Sequence, residues 1–331
     1  MLKANVRNNM ILGKKIIYGA ILCISLSGCG GGGDAAAPSG LTYTGLTTQA
    51  NLTVENGEQI STSSYQNGGS GEGMGTTFTS LSEIEADVAM VKPRTSTLAK
   101  VLVAAVNKIE PSSSDTFFSG AVITESGDPI KGDCGGEASF TMSTDDVTGD
   151  FSGTMAFNSY CESGETINGS ITISGNINVN AGTFNSMTMT MTSVSVTSGS
   201  ETSLMDGTLS FNPGATPAVI TMNMKLKAGS DDVFWMENFT LTIAEVTGGD
   251  DLTMEGRFYH PSYGYVDITT PTAFHYSGLN QYPFPGTMVT AGSNGSVVTL
   301  TSLSTTTYKI DIDTDGNGNI DHSDNGLWAE L

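Results

Sequence analysis

From about Phe117 onward the chain alternates apolar and polar residues with a period of two. Phe151, Gly153, Met155 and Phe157 alternate with Ser152, Thr154 and Ala156. Met187, Met189 and Met191 alternate with Thr188, Thr190 and Thr192, and Ile220, Met222, Met224 and Leu226 with Thr221, Asn223, Lys225 and Lys227. Ile171 with Ile173, and Phe239 with Leu241 and Ile243, repeat the rhythm. In an extended chain successive side chains point to opposite faces, so these runs predict half-buried strands. Asn168-Gly169, Asp206-Gly207 and Gly248-Gly249 carry the chemistry of tight turns and are expected to separate strands. Short spacing without intervening helices predicts a mainly β fold over 111–331, an antiparallel meander in a curved sheet.

The preceding segment, 41–110, reads differently. Residues 41–44 have the character of a first short strand. Thr53 offers an N-cap to a helix with Glu55 and Glu58 near its start, where the helix dipole favours acids. Gly57 weakens that helix, and Asn67-Gly68-Gly69 is expected to end it, leaving the glycine-rich stretch 68–75 as a loop. A short helix over 81–90 is expected next, with Pro93 preventing its continuation. In 96–109, Leu98, Val101, Leu102, Ala105, Val106 and Ile109 form one apolar stripe at helical spacing. One or two helices are therefore expected on the sheet.

Charge narrows the partners. Against 34 acidic residues stand 13 basic ones, a net charge of −21. Nucleic-acid binding is driven by Lys and Arg displacing counterions from phosphate, so this balance argues against it. With 38% apolar residues and only 14% charged, the composition supports a folded core.

The first 28 residues hold Lys3, Arg7, Lys14 and Lys15, no acid, and an apolar run over 16–26. That run is shorter than the ~20 residues of a spanning helix and has the layout of a signal peptide. It ends in Leu26-Ser27-Gly28-Cys29, which resembles the lipobox of bacterial lipoproteins. The resemblance implies cleavage before Cys29, diacylation of its sulfur and acylation of its new amino terminus. It also implies that Gly30 directs the protein to the outer membrane, on either its periplasmic or its surface face. Residues 29–40, rich in Gly, Ala and Pro, read as a tether. Loss of 1–28 leaves 9 basic residues against 34 acidic, or −25. Beyond the lipobox, Tyr43-Thr44-Gly45, the Cys134 and Cys161 pair, and the block from Gly256 to Pro261 resemble a group of uncharacterised Gram-negative lipoproteins. The layout of helices beside a curved sheet is similar to half-open barrels of periplasmic lipoprotein carriers, an analogy that brings no activity with it.

With Cys23 in the signal and Cys29 lipidated, Cys134 and Cys161 remain in an oxidising compartment and are expected to form a disulfide. A catalytic or metal-binding pair is the competing reading, but the two lack Cys-x-x-Cys spacing and a nearby His.

The sharpest motif is C-terminal. Residues 313–324 resemble the EF-hand calcium loop, with Asp313, Asp315 and Asn317 at its first three ligand positions and Gly318 at the turn. Asn319 would offer its carbonyl, Asp321 would act at the ninth position, and Asp324 replaces the usual bidentate Glu at the twelfth. Alternation of Tyr308, Ile310 and Ile312 with Lys309 and Asp311 predicts a strand entering the loop, and the few residues after Asp324 leave little room for a helix. The expected site is one structural Ca²⁺ site on a strand and loop. The alternative is an acidic surface turn.

Met187, Met189, Met191, Met222 and Met224 are expected in the core; lining an apolar ligand pocket, or binding Cu(I) through thioethers, are the other readings. An aromatic concentration over 234–284 includes Trp235, Tyr259, Tyr263, Tyr265 and Tyr276, which could face a glycan or protein, or close one end of the core. Only three histidines occur (His260, His275 and His322), and no Gly-x-Ser-x-Gly or His-Glu-x-x-His motif accompanies them. A carboxylate-pair hydrolase remains a minor alternative. The reading is a lipid-anchored, non-enzymatic envelope protein with a structural or binding role; the alternative is a carrier enclosing a lipophilic ligand.

Overall fold

The computed structural model describes residues 40–79 and 122–331, apart from 127, 146, 179–182, 213–214, 229–231, 278–279 and 281. Cys29 and the helices expected over 81–90 and 96–109 lie outside the described residues. The chain is mainly β. Its strands are β1 (Val122–Ser126), β2 (Ile130–Lys131), β3 (Gly135–Asp145), β4 (Asp150–Glu162), β5 (Glu165–Asn178), β6 (Thr183–Ser198), β7 (Glu201–Asn212) and β8 (Ala218–Ala228). They continue as β9 (Val233–Val246), β10 (Gly249–His260), β11 (Gly264–Thr272), β12 (Phe274–Ser277), β13 (Thr287–Ala291), β14 (Val297–Ser302), β15 (Thr307–Asp313) and β16 (His322–Leu327). Fourteen lie side by side in the order β1, β3 to β11, β13 to β16, with β2 attached to β3 and β12 to β10. Neighbours are antiparallel and mostly consecutive in sequence, so the meander is present and the sheet is open, not closed into a barrel.

The period-two rhythm sorts the faces as expected. Phe151, Met155 and Phe157 are buried while Ser152, Thr154 and Ala156 are exposed. The five methionines of β6 and β8 are between 0% and 2% exposed, which puts them in the core. Met189 stands opposite Ile173 and Leu209, and Met222 opposite Leu209 and Phe239, so the inner face is a continuous apolar layer. Burying each such side chain stabilises the fold by roughly 1.5–3 kcal/mol before chain entropy is counted.

Two of the expected turns are not turns. Asn168-Gly169 lies inside β5 and Asp206-Gly207 inside β7, each beside a bulge where the ladder slips register. Ser159, on β4, donates its amide to Asn168 Oδ1 at 2.8 Å, and Ser193, on β6, donates to Asp206 Oδ2 at 3.4 Å. Both serines have positive φ, 49° and 50°. The following glycine makes room: a Cβ at Gly169 would sit 2.6 Å from Ser193 O, and one at Gly207 2.2 Å from Asn223 O. Asx-Gly here is a bulge-and-cap device, which bends and twists the strands it serves. Gly248 does sit in the turn between β9 and β10, with Thr247, while Gly249 already opens β10 opposite Val246.

The expected helix exists but is longer. Thr53 Oγ1 accepts the Glu55 amide at 3.3 Å, and α1 runs Gly57–Thr79, through the glycines expected to end it. Tertiary contact overrides propensity. A Cβ at Gly57 would be 2.8 Å from Val298 Cγ2, and one at Gly68 2.9 Å from Phe239 Cε1. Glycine is thus what lets the helix lie close against β9, β14 and β15. Ser61 and Ser64 of this helix are fully buried; Thr290 donates to Ser61 Oγ at 3.2 Å and Ser64 to Ser61 O at 2.7 Å. Among the described residues, no helix is long and apolar enough to cross a membrane.

Residues 41–44 form no strand. They belong to an extended strap lying on the outer face of the sheet, where an isolated parallel bridge joins Gln49 to Tyr265. Leu41 donates to Asp206 Oδ2 at 3.1 Å and accepts from Lys225 Nζ at 3.0 Å. Tyr43 Oη donates to His260 O at 3.1 Å, Leu46 N to Pro261 O at 3.1 Å, and Ala50 N to Tyr265 O at 2.8 Å. Leu52, fully buried, then leads into α1 on the inner face. The reason is that backbone groups of β11 and the β10–β11 turn, left open by the sheet, capture the strap.

Candidate functional site

The loop between β15 and β16 is built by its own side chains. Asp313 ends β15 and is buried; its two oxygens accept the amides of Gly316 at 2.8 Å and Gly318 at 2.7 Å. Asp315 accepts the Asn317 amide at 3.1 Å, and Asn317 Oδ1 accepts the Asn319 amide at 2.8 Å. Asp321 closes the loop, accepting the Thr314 amide at 2.8 Å and its hydroxyl at 2.5 Å while donating its own amide to Ile312 O at 2.8 Å. One carboxylate oxygen from each of Asp313, Asp315 and Asp321 lies within 4.8 Å of the others.

Three carboxylates so placed repel one another unless a cation intervenes. Burial pushes the Asp313 carboxyl up, but the Gly318 and Gly316 amides outweigh it and hold it below the ordinary value. The Thr314 hydroxyl and amide lower Asp321 in the same way. Hard oxygen donors at this density suit Ca²⁺, which takes six to eight oxygens at roughly 2.3–2.6 Å. Asn317 Oδ1 lies on the same loop. Asp324 does not join the three: it sits on β16 opposite Ile310, exposed, and its carboxylate accepts the Asn325 amide at 2.7 Å. The exit from the loop is a strand, and a strand carries the twelfth position away from where an exiting helix would hold it. The loop also leans on the β13–β14 turn: a Cβ at Gly316 would be 2.5 Å from Gly295 O.

Cys134 and Cys161 are joined in a disulfide with Cα atoms 5.1 Å apart, tying the start of β3 to the end of β4. Asp133 lies beside them, but two sulfurs bonded to each other are not metal thiolates.

The aromatic concentration is divided between the faces. Trp235 and Tyr259 stack on the outer face at 4.3 Å between centroids, with Tyr265 at 5.4 Å from Tyr259. Tyr43 of the strap covers them at 5.9 Å from Trp235 and 5.7 Å from Tyr259. Burial pushes the Tyr43 hydroxyl up to about 12. Arg257 lies 4.0 Å over Tyr265 and donates to Asp267 at 2.9 Å. Tyr276 is buried on the inner face and shares a 2.8 Å hydrogen bond with Tyr65 of α1, while Tyr263 donates to Gln59 of α1 at 3.2 Å. The alternation of β10 and β12 separates these groups, so the five rings form no common platform.

Tyr43 is the part of this outer-face assembly that periodicity missed, because a strap has no repeat to betray it; Asp206 and Arg257 lie on β7 and β10 and gain their roles from what packs on them. Of the three histidines, His260 is 2% exposed, His275 Nδ1 lies 2.8 Å from Asp251 Oδ1, and His322 is exposed on β16. They share no site. No family model, curated protein or solved structure matches the chain.

Proposed function

We propose that this chain is an outer-membrane-anchored, non-enzymatic envelope lipoprotein whose β domain carries one structural calcium site. The observation that carries the calcium part is the meeting of Asp313, Asp315 and Asp321 within 4.8 Å on a loop whose backbone is already folded around them. The residues fit the ion in donor type; with Asp324 elsewhere, water would complete the shell, which favours the weak range of extracellular modules, roughly 10⁻⁴–10⁻³ M. Calcium would fasten the β15–β16 hairpin and, through the Gly316 contact, the turn against which the strap lies. The membrane part rests on the Leu26-Ser27-Gly28-Cys29 segment, and the non-enzymatic part on the scattered histidines. Burial of Met187, Met189, Met191, Met222 and Met224 supports a structural role for them over lining a carrier's pocket.

Two measurements test the proposal. Radiolabelled palmitate should attach to the wild type and not to Cys29→Ala. At about 100 Kd of calcium the domain should be stabilised by about 2.7 kcal/mol relative to chelator. Asp313→Ala with Asp315→Ala should remove that gain; equal melting in calcium and chelator for the wild type refutes the site. Protease shaving of intact cells assigns the membrane face.

A further inference from the structure

The outer face of β3 to β9 has an order that strand formation alone does not demand. One row crosses six strands as Thr141, Thr154, Thr172, Thr190, Thr208 and Asn223, each opposite the next. A second crosses seven as Ser143, Ser152, Ser174, Thr188, Ser210, Thr221 and Thr240. In a protein with 34 acidic residues, neither row contains a charge. At about 4.8 Å per strand the six-strand row is roughly 24 Å wide. Thr154, Thr172 and Thr190 are exposed, and a shallow concavity of about 250 Å³ runs between Thr141, Ser152, Thr154 and Thr172.

The second observation is where the strap begins. Gly40 and Leu41 lie on this same face, at Asp206 and Lys225, one step along β7 and β8 from Thr208 and Asn223. Of the charges bordering the rows, Asp206 and Lys225 are engaged with the Leu41 backbone, and Asp145 and Asp150, at the β3–β4 end, accept hydrogen bonds from Val147, Thr148 and Asn176. Cys29 precedes Gly40 by eleven residues, a reach of at most about 40 Å.

We infer that the hydroxyl rows of β3 to β9 are the face this protein turns toward the lipid surface; the inference rests on the reading of Cys29 as the lipidated residue. An acidic body held by a short tether is repelled by anionic headgroups, and the orientation of least repulsion presents the surface whose central rows carry no carboxylate. Hydroxyls also both donate and accept, so the rows can bond phosphate and glycerol-ester oxygens alike. The strap fixes the orientation, because Leu41, at the start of the described chain, is held on that side.

The test uses the full-length lipid-modified protein in vesicles of phosphatidylethanolamine and phosphatidylglycerol carrying a headgroup spin-label quencher. With Cys134 and Cys161 bonded and Cys29 acylated, a fluorophore can be placed on Thr154→Cys or Thr190→Cys, and on Thr306→Cys in the β14–β15 turn as reference. Quenching should be strong at 154 and 190 and weak at 306. Thr172→Glu with Thr190→Glu should abolish the difference at 154 without changing the circular dichroism spectrum. Equal quenching at all sites of an acylated protein overturns the orientation alone. Mass spectrometry showing no acyl chain on Cys29 overturns the anchor and, with it, this inference. Sedimentation at dimer mass with position 154 shielded in the absence of vesicles overturns it in favour of a face-to-face pair of copies.

Discussion

Strands β3 to β8 are 11 to 16 residues long, whereas β11 to β16 are 4 to 9. The long half is held by its ladders, by an apolar inner layer and by bulges that the neighbouring strand caps. The short half has fewer ladder bonds per strand and is held by crossings that reach it from β7 to β10: the strap on one face, α1 on the other, and the C-terminal turn folded back against Tyr65 of α1. Stability is spread out in the first region and concentrated in a few plug residues in the second.

The largest expected effect tests that contrast. Trp328 is 1% exposed, with its ring 5.1 Å from Tyr308, 5.2 Å from Tyr65 and 6.2 Å from Tyr282. Its Nε1 donates to Ser304 O at 3.0 Å. Trp328→Ala should cost about 3–5 kcal/mol in urea unfolding, as large aromatic truncations do, and should loosen α1 because Tyr65 loses its neighbour. Met189→Ala, equally buried in the long half, should cost about 2–4 kcal/mol because surrounding methionines can relax into the gap. A larger loss at Met189 than at Trp328 would break the contrast.

Next comes the bulge device of the long half. Gly207 has φ of 132°, and its absent Cβ faces Asn223 O. Gly207→Ala should cost about 3 kcal/mol from backbone strain and the pushed-apart strand. Asn168→Ala removes the acceptor of the Ser159 amide, which is near solvent, and should cost about 1 kcal/mol. Thermal unfolding of the pair ranks them; a neutral Gly207→Ala would mean that the bulge does not set the packing of β7 against β8.

These same residues mark how much was legible beforehand. The strands were, because alternation is a property of the chain itself: Met187, Met189 and Met191 go inward wherever the partner strand comes from. The loop of Asp313 to Asp321 was, because its hydrogen bonds are local. Asn168-Gly169 and Asp206-Gly207 were not, since a turn and a bulge ask for the same residues and only the adjacent strand decides between them. The glycines within the helix are matched to side chains far along the chain, Gly57 to Val298 and Ile312 and Gly68 to Phe239. Asp324 fitted the motif by spacing, but the spacing presumes a helix where β16 pairs with β15.

The smallest effect sharpens the contrast at its seam, the β10–β11 turn where strap and sheet meet. His260 accepts the Ser262 amide at Nδ1, 3.2 Å away, so the neutral ring carries its proton on Nε2, which has no hydrogen-bond partner among the described residues. Burial lowers the pKa of His260 below its ordinary 6.5, with Asp232 opposing. The folded protein therefore refuses a proton that the unfolded chain takes up. Stability from this group is complete above 6.5 and declines as pH falls below 6.5 toward the folded value. Asp313 and Asp321, held low, lose their contribution only as pH falls through values under 3.8, and Asp250, raised by burial and by Glu245, works in the opposite sense. Comparing wild type with His260→Phe isolates the imidazole: Phe keeps the edge contact with Phe234, at 5.2 Å, and cannot titrate. Between about pH 7.5 and about pH 5.5 the wild type should lose more unfolding free energy than His260→Phe. Proteolysis within residues 41–48 should rise in step, because protonation at Nδ1 sets two donors against each other in the turn that holds Tyr43 and Leu46. Parallel pH profiles for the two proteins would show that the seam is held by the strap's backbone bonds alone.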